Sequence, residues 1–169
     1  EIFNLITEKG KEFNLSLCGM LAMDTMRMES GYLHWGHDIS PEENQYEAGL
    51  GFAISYKKET NFIGKDALLN IKDKKLSKKF IMLVLKESKP GEPLLLHDEP
   101  IYLDKEIIGR TTSGNYSFNF NKNLSFGYIK SDLNIDDLQK KNIFIEIEKK
   151  KYSAIILEKP LNDKSKILN

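Results

Sequence analysis

The period of apolar and polar positions changes once along this chain. From Ile2 to Phe13 the apolar residues Ile2, Phe3, Ile6 and Phe13 recur near the helical period, and Glu1 followed later by Lys9 and Lys11 suits the helix dipole. Gly10 weakens this helix towards its end. A second helix is expected from about Leu17 to Ser30, where Met20 to Glu29 are mostly good helix formers and Gly31 provides the stop. Its four methionines, Met20, Met23, Met26 and Met28, read most simply as core filling. Trp35-Gly36-His37-Asp38 and Ser40-Pro41-Glu42-Glu43-Asn44 carry loop and turn chemistry, and Leu50 to Tyr56 offers a short apolar strand. Gly64 then precedes a helical run from Lys65 to Ile71.

Beyond Lys79 the pattern becomes a series of short strands. These are Phe80–Leu85, Ile101–Leu103, Ile107–Thr112, Leu124–Ile129, Ile143–Ile147 and Tyr152–Leu157. Ile143 to Glu148 ends in apolar and charged alternation, as a strand with one wet face should, and Lys149-Lys150-Lys151 serves as an exposed hairpin link to the next strand. Pro90-Gly91, Gly109 and Ser113-Gly114-Asn115 read as punctuation between the strands of a small barrel or sandwich. The fold class is therefore α+β, with the charged stretch Lys72–Lys79 as the expected boundary between units at 1–75 and 76–169.

At 169 residues the chain fits one domain or two small ones. Lys and Arg number 25, as do Asp and Glu, so the net charge is zero and the long-range field of a nucleic-acid or anionic-membrane binder is missing. Only a local patch at Lys72, Lys74, Lys75, Lys78 and Lys79 departs from that balance, and neither nucleic acid nor membrane is expected as a partner. The single cysteine, Cys18, excludes an internal disulfide and a multi-cysteine zinc site, and reads as a buried thiol in a reducing compartment. No apolar run approaches the roughly 18 residues of a membrane span, and no signal-peptide pattern opens the chain, so a soluble, cytoplasmic protein is expected. A first residue other than Met, already inside a helical pattern, suggests the tail of a longer polypeptide. Surface that the rest of such a polypeptide would cover should then be exposed and apolar.

Candidate chemistry is sparse. His34 and His37 bracket Trp35 and Gly36 in a turn without further ligands at metal spacing, so they read as surface histidines and no metal is expected. Gly109-Arg110-Thr111-Thr112-Ser113-Gly114 follows a strand but opens no helix, so it reads as a tight turn between strands and not as a phosphate loop. Arg27 shares a helical face with Met20 and Met23, and a guanidinium there needs an anion. Asp24 could supply it locally, or a ligand carboxylate could; spacing favours Asp24.

A larger pattern connects these pieces. Gly19 to Tyr32 (GMLAMDTMRMESGY), Trp35-Gly36-His37-Asp38-Ile39, Glu47 to Phe52 (EAGLGF) and Phe62 to Leu68 (FIGKDAL) resemble, in order and spacing, the glycine cleavage T-protein (aminomethyltransferase) superfamily. Glu99-Pro100-Ile101, Ile108-Gly109, Thr112-Ser113-Gly114, Ser125 to Ile129 and Lys159-Pro160-Leu161 are similar to that family's C-terminal barrel. Tyr32 to Ile39 (YLHWGHDI) is more similar to the folate-binding tails of sarcosine and dimethylglycine dehydrogenase-like FAD-dependent oxidoreductases than to free-standing T-proteins. Departures occur at Asp104-Lys105, where the family usually turns through Asp-Gly, and at Asn162-Asp163, where its end usually carries an aromatic residue.

The resemblance implies the back half of a ferredoxin-like folate-binding unit at 1–75, followed by the antiparallel C-terminal β-barrel at 76–169. It implies tetrahydrofolate as ligand and a small methylated amine as the intact protein's substrate. The catalytic aspartate and the FAD domain would lie in a missing N-terminal region, leaving no catalytic residue in this chain. The folate-contacting arginine of the family's Arg-Leu-Glu motif falls on Arg27, an aromatic channel position falls on Phe52, and Trp35 is a further lining residue. Glu29 matches the motif and is expected in a structural ion pair. A fixed cation and an aromatic wall suit a ligand made of a flat pterin, an aminobenzoyl group and a glutamate tail. The expected parent enzyme oxidatively demethylates an N-methyl amine and passes the one-carbon unit to tetrahydrofolate, without turnover by this chain alone. The alternatives are a fragment of a free-standing aminomethyltransferase or related methyltransferase, and a packing module that binds nothing by itself. A folate-binding RNA-modification helper is disfavoured by the lack of its cysteine-containing signature.

Overall fold

The computed structural model describes residues 1–161, so the departure at Asn162-Asp163 lies outside the described residues. Three helices come first: α1 (Ile2–Gly10), α2 (Met20–Glu29) and α3 (Lys65–Lys72). Single 3-10 turns cover Lys11–Phe13 and Gly51–Ala53, the second standing where a strand over Leu50–Tyr56 was expected. The apolar run there is not a strand because it follows the turn closed by Gly49 at φ +72, and no strand among the described residues pairs with it. The strands among the described residues lie beyond residue 77: β1 (Lys78–Leu85), β2 (Pro100–Leu103), β3 (Glu106–Ser117), β4 (Lys122–Lys130), β5 (Ile143–Ile147) and β6 (Lys150–Leu157). A four-residue helix, α4 (Ile135–Leu138), precedes β5.

The six strands close into an antiparallel barrel in the order β1-β4-β3-β2-β5-β6, the barrel alternative of the two sequence expectations. Closure pairs β1 with β6, from Met82 opposite Leu157 to Leu85 opposite Ala154, and leaves no free edge. The β5–β6 hairpin turns through Glu148 and Lys149, both at positive φ, which matches the twist that two-residue hairpins require. Asp104-Lys105 also makes a two-residue turn, with Asp104 at φ +53. Aspartate tolerates that conformation, so the family's usual Asp-Gly is not needed for the turn.

Alternation along β1 divides the packing. Ile81, Leu83 and Leu85 enter the barrel with Ile101, Ile129, Ile143, Ile145 and Ile156, while Phe80, Met82 and Val84 face outward onto Met28 of α2. β4 is covered on both sides and is buried from Asn123 to Ile129. Each such fully buried apolar side chain contributes about 1.5–3 kcal/mol.

Segment 109–114 departs from its expected turn. It runs inside β3, because Gly109 lets the backbone of β4 come close: a Cβ there would lie 2.0 Å from the Tyr128 carbonyl oxygen. The methionines depart too. Met28 is buried, whereas Met20, Met23 and Met26 are exposed, since α2 sits on the barrel through its C-terminal turn, Arg27-Met28-Glu29. Cys18, expected to be buried, is exposed. Exposed apolar surface is abundant at this end of the fold: α1 has no buried residue, and Ile2, Phe3, Leu5, Ile6 and Phe13 face outward. No helix among the described residues is long and apolar enough to cross a membrane.

Two glutamates fasten the loop after α2 to β1. Glu43 pairs with Lys78, and Glu47 accepts from Ser77 Oγ at 2.6 Å and from the Asn44 N–H at 3.2 Å. Burial alone raises both pKa values, but the hydrogen bonds from Lys78 and Ser40 to Glu43, and from Ser77 and Asn44 to Glu47, outweigh it and hold both below the ordinary glutamate range. A folded-state pKa below the unfolded one adds stability that is fully present above the unfolded value. That stability is lost as pH falls through the folded value. The urea midpoint is therefore expected to fall below about pH 4.5, and Glu47→Gln to flatten that fall; a variant with the parent's acid profile would contradict the assignment.

Candidate functional site

Arg27 lies near the C-terminal end of α2 and is the junction between helix and barrel. Its Nε donates to Asp24 Oδ1 at 2.7 Å, one terminal nitrogen donates to Ser113 Oγ at 2.7 Å, and the other donates to Asp38 and to the Tyr32 carbonyl at 3.2 Å. The ring of Phe126 lies beneath, with the guanidinium carbon 5.4 Å from its centroid. The local pair that spacing favoured is thus present, 2.6 Å apart at its shortest, but it is one part of a larger network.

Asp38 is the centre of that network and was missed in the sequence, where it reads as a turn residue. Its side chain is wholly buried. One carboxylate oxygen accepts from Arg27 and from the His34 N–H at 2.9 Å, and the other accepts from Thr112 Oγ1 at 2.6 Å and Ser113 Oγ at 2.8 Å. Adjacent residues of a regular strand point to opposite faces, so Thr112 and Ser113 could not both reach one oxygen. A β-bulge solves this: Thr111 pairs with Gly127 and Ser113 with Phe126, leaving Thr112 as the extra residue. Tyr128 Oη donates to the Asp38 carbonyl at 2.8 Å. Burial, reinforced by the negative charges of Glu43, Asp38 and Glu47, pushes the Tyr128 phenol upward and keeps it a donor.

Glu29, expected in an ion pair, is instead buried and accepts from Ser117 Oγ at 2.6 Å and Asn119 Nδ2 at 3.0 Å, with no Lys or Arg partner among the described residues. Neutral donors suffice because two hydrogen bonds reach its separate oxygens.

A cavity of about 490 Å³ opens beside Arg27. Its walls are mostly apolar, from Met20, Leu21 and Met23 of α2, Leu33, and Leu94 and Leu96 before β2; Thr112, Ser113 and Asn115 form the polar end. Gly114 permits this arrangement, since a Cβ there would lie 2.9 Å from the Leu95 backbone and push the 94–96 segment off β3. The three candidate ligand residues do not meet. Arg27 lines this cavity, whereas Phe52, 86% exposed, lines a neighbouring one of about 690 Å³ with Phe80, Met82 and Pro160. Trp35 is 67% exposed and lines neither. Leu33 is common to both cavities. Among the described residues no group of three or more His, Cys, Asp or Glu is placed to hold a metal ion.

Comparison with known proteins places this architecture. The family described as the GCVT N-terminal domain matches residues 1–58, and the glycine cleavage T-protein C-terminal barrel domain matches residues 78–163. The chain belongs to the glycine cleavage T-protein family. It is 30% identical over 162 residues to the 4-methylaminobutanoate oxidase (formaldehyde-forming) of Paenarthrobacter nicotinovorans, covering 96% of this chain and 19% of that protein. It is 31% identical over 160 residues to the mitochondrial dimethylglycine dehydrogenase of Homo sapiens, covering 95% of this chain and 18% of that one. An aminomethyltransferase of Symbiobacterium thermophilum is 35% identical over 128 residues, which is 76% of this chain and 33% of the relative. The chain thus spans between about a fifth and a third of these curated relatives. The crystal structure of the glycine cleavage system aminomethyltransferase T from Bartonella henselae shares the fold, with a TM-score of 0.79, 22% identity, and coverage of 94% of this chain and 43% of that one. In this T-protein-family chain, Arg27-Met28-Glu29 is a docking motif: Met28 packs on β4, and the flanking charges fasten α2 to β3 at Ser113 and Ser117.

Proposed function

We propose that this chain supplies one wall of a tetrahydrofolate site in an enzyme that oxidatively demethylates an N-methyl amine and passes the one-carbon unit to tetrahydrofolate. The observation that carries the folate reading is the cavity beside Arg27, whose apolar walls suit a flat aromatic body and whose polar end offers hydroxyl and amide groups to its heteroatoms. Arg27 shapes that end, and Phe52 offers an aromatic face beyond Leu33 for a ligand or chain segment that crosses both hollows. The dehydrogenase-like branch is favoured by Tyr32 to Ile39 and by relatives named as an oxidase and a dehydrogenase. A free-standing aminomethyltransferase is the second reading, supported by relatives of that name.

FAD belongs, on this reading, to sequence outside the chain. The glycine-rich segment 109–114 lies within β3 and not at a strand-to-helix turn, so it offers no phosphate cradle. The chain's own contribution is to bind and orient the one-carbon acceptor.

Calorimetric titration with tetrahydrofolate tests the reading. Saturable binding is expected, with Met23→Asp weakening it about tenfold by placing a charge on the apolar wall while leaving the fold intact, since Met23 is exposed. No binding by the parent chain would remove the folate site from this chain and leave it a packing module. The dehydrogenase branch would fall if the gene encoded a chain of aminomethyltransferase length with no upstream flavin-binding region.

A further inference from the structure

All three histidines of this chain, His34, His37 and His97, meet at one place. The rings of His34 and His37 stack with centroids 4.7 Å apart and 34° between planes, and His37 and His97 stand edge to face at 6.5 Å and 61°. His97 comes from the segment before β2, about sixty residues away, and nothing in the sequence pattern pairs it with the other two. Together they line the cavity beside Arg27, and all three are exposed, so they form its rim towards solvent.

Charge gives the rim a role. The fixed charges lining this cavity among the described residues are Asp24 and Arg27, and they are paired with each other. Every nitrogen of Arg27 is already engaged by Asp24, Asp38, Ser113 or the Tyr32 carbonyl, so the guanidinium that best suits a carboxylate on sequence grounds has no fork left to offer one. The imidazoles are the remaining lining groups able to carry positive charge.

We propose that the three-histidine rim holds the carboxylates of the ligand's glutamate tail, and that γ-linked additional glutamates strengthen the hold. The inference rests on the folate reading above. It separates the ligand by chemistry: the flat body occupies the apolar interior and the anionic tail leaves across the rim. The groups facing the rim fit this division. Asp24 and Arg27 on α2 and Asp38 on the His34 loop are mutually bonded beneath it, and Glu99, in the same segment as His97, is tied back by the Leu96 N–H at 3.0 Å and by Thr111. On the outer side, Asp98 accepts from His97 Nδ1 at 2.9 Å and from Arg110 at 2.6 Å. The hydrogen bond to His97 and the charge of Arg110 hold the Asp98 carboxyl below the ordinary aspartate range, so it stays an acceptor that orients the His97 ring with Nε2 directed away.

Titrating the full chain with tetrahydropteroate, tetrahydrofolate and oligo-γ-glutamylated tetrahydrofolate at low and at high salt tests the rim. The oligoglutamate form is expected to gain about tenfold in affinity over tetrahydropteroate, a gain that shrinks in high salt, as exposed ion pairs do. The combined His34→Gln, His37→Gln, His97→Gln variant should lose that gain while keeping both its thermal midpoint and its affinity for tetrahydropteroate. Tetrahydropteroate binding with a tail contribution that is flat with salt, or unchanged in the triple variant, would overturn the rim and leave the folate site standing. Binding of none of the ligands would overturn both.

Discussion

Asp38→Ala is expected to remove about 3–5 kcal/mol of folding stability, seen as a lower urea midpoint with an unchanged slope. The side chain is wholly buried, and its loss strands a partner on every side: the Arg27 charge, the hydroxyls of Thr112 and Ser113, and the His34 N–H. Arg27 is itself only 14% exposed, so water cannot fully replace the carboxylate. Most of the cost is the price of the stranded donors and of a guanidinium left with only the partly exposed Asp24 as counter-ion, more than the net value of the pair. The combined Arg27→Met, Asp38→Leu variant should therefore lose less than the two single changes added together. A loss under about 1 kcal/mol for Asp38→Ala would mean that the network is decorative and that packing of Met28 on Phe126 alone seats α2.

Gly109→Ala comes next in size, at about 3 kcal/mol, the upper end of the usual overpacking range. The added methyl would lie 2.0 Å from the Tyr128 carbonyl oxygen and 2.9 Å from Ile129 Cα, and both neighbours are backbone of the adjacent strand. A side chain could swing aside; a strand locked on both edges of a closed barrel cannot. Gly109 does not have positive φ, so close approach and not backbone freedom explains the glycine. Gly19→Ala, whose Cβ would meet nothing within 4 Å, is the control and should cost no more than the roughly 1 kcal/mol of a poorer N-cap on α2. Comparable thermal midpoints for the two variants would show that β3 and β4 can separate to admit the methyl.

These two positions also mark where reading the sequence stopped. The six strands were legible because a barrel strand with one face inside and one outside writes its geometry as alternation, as Ile143, Ile145 and Ile147 do around Phe144 and Glu146. The bulge at Thr112 was not, because an extra residue in one strand is defined only by its register against another. Glycines 109 and 114 looked like turn signals for the same reason: a glycine that admits a neighbour's backbone and one that reverses the chain are the same letter. The methionines of α2 have a helical period, yet only Met28 is buried, since periodicity fixes that a helix has an apolar side but not which of its turns the barrel will cover.

Arg27 was visible as a cation in need of an anion, and its ordered neighbours carried the family resemblance. Its saturation was not visible, because Asp38 and Ser113 stand eleven and eighty-six residues further along the chain and meet it only when α2 lies across the bulge. The histidine rim has the same origin. Local sequence therefore determined the strands, the helices and the motif order, all of which depend on contacts a few residues apart. Tertiary structure decided which charges are already spent on one another and which remain for a ligand, because burial and pairing are set by chains that arrive from far along the sequence.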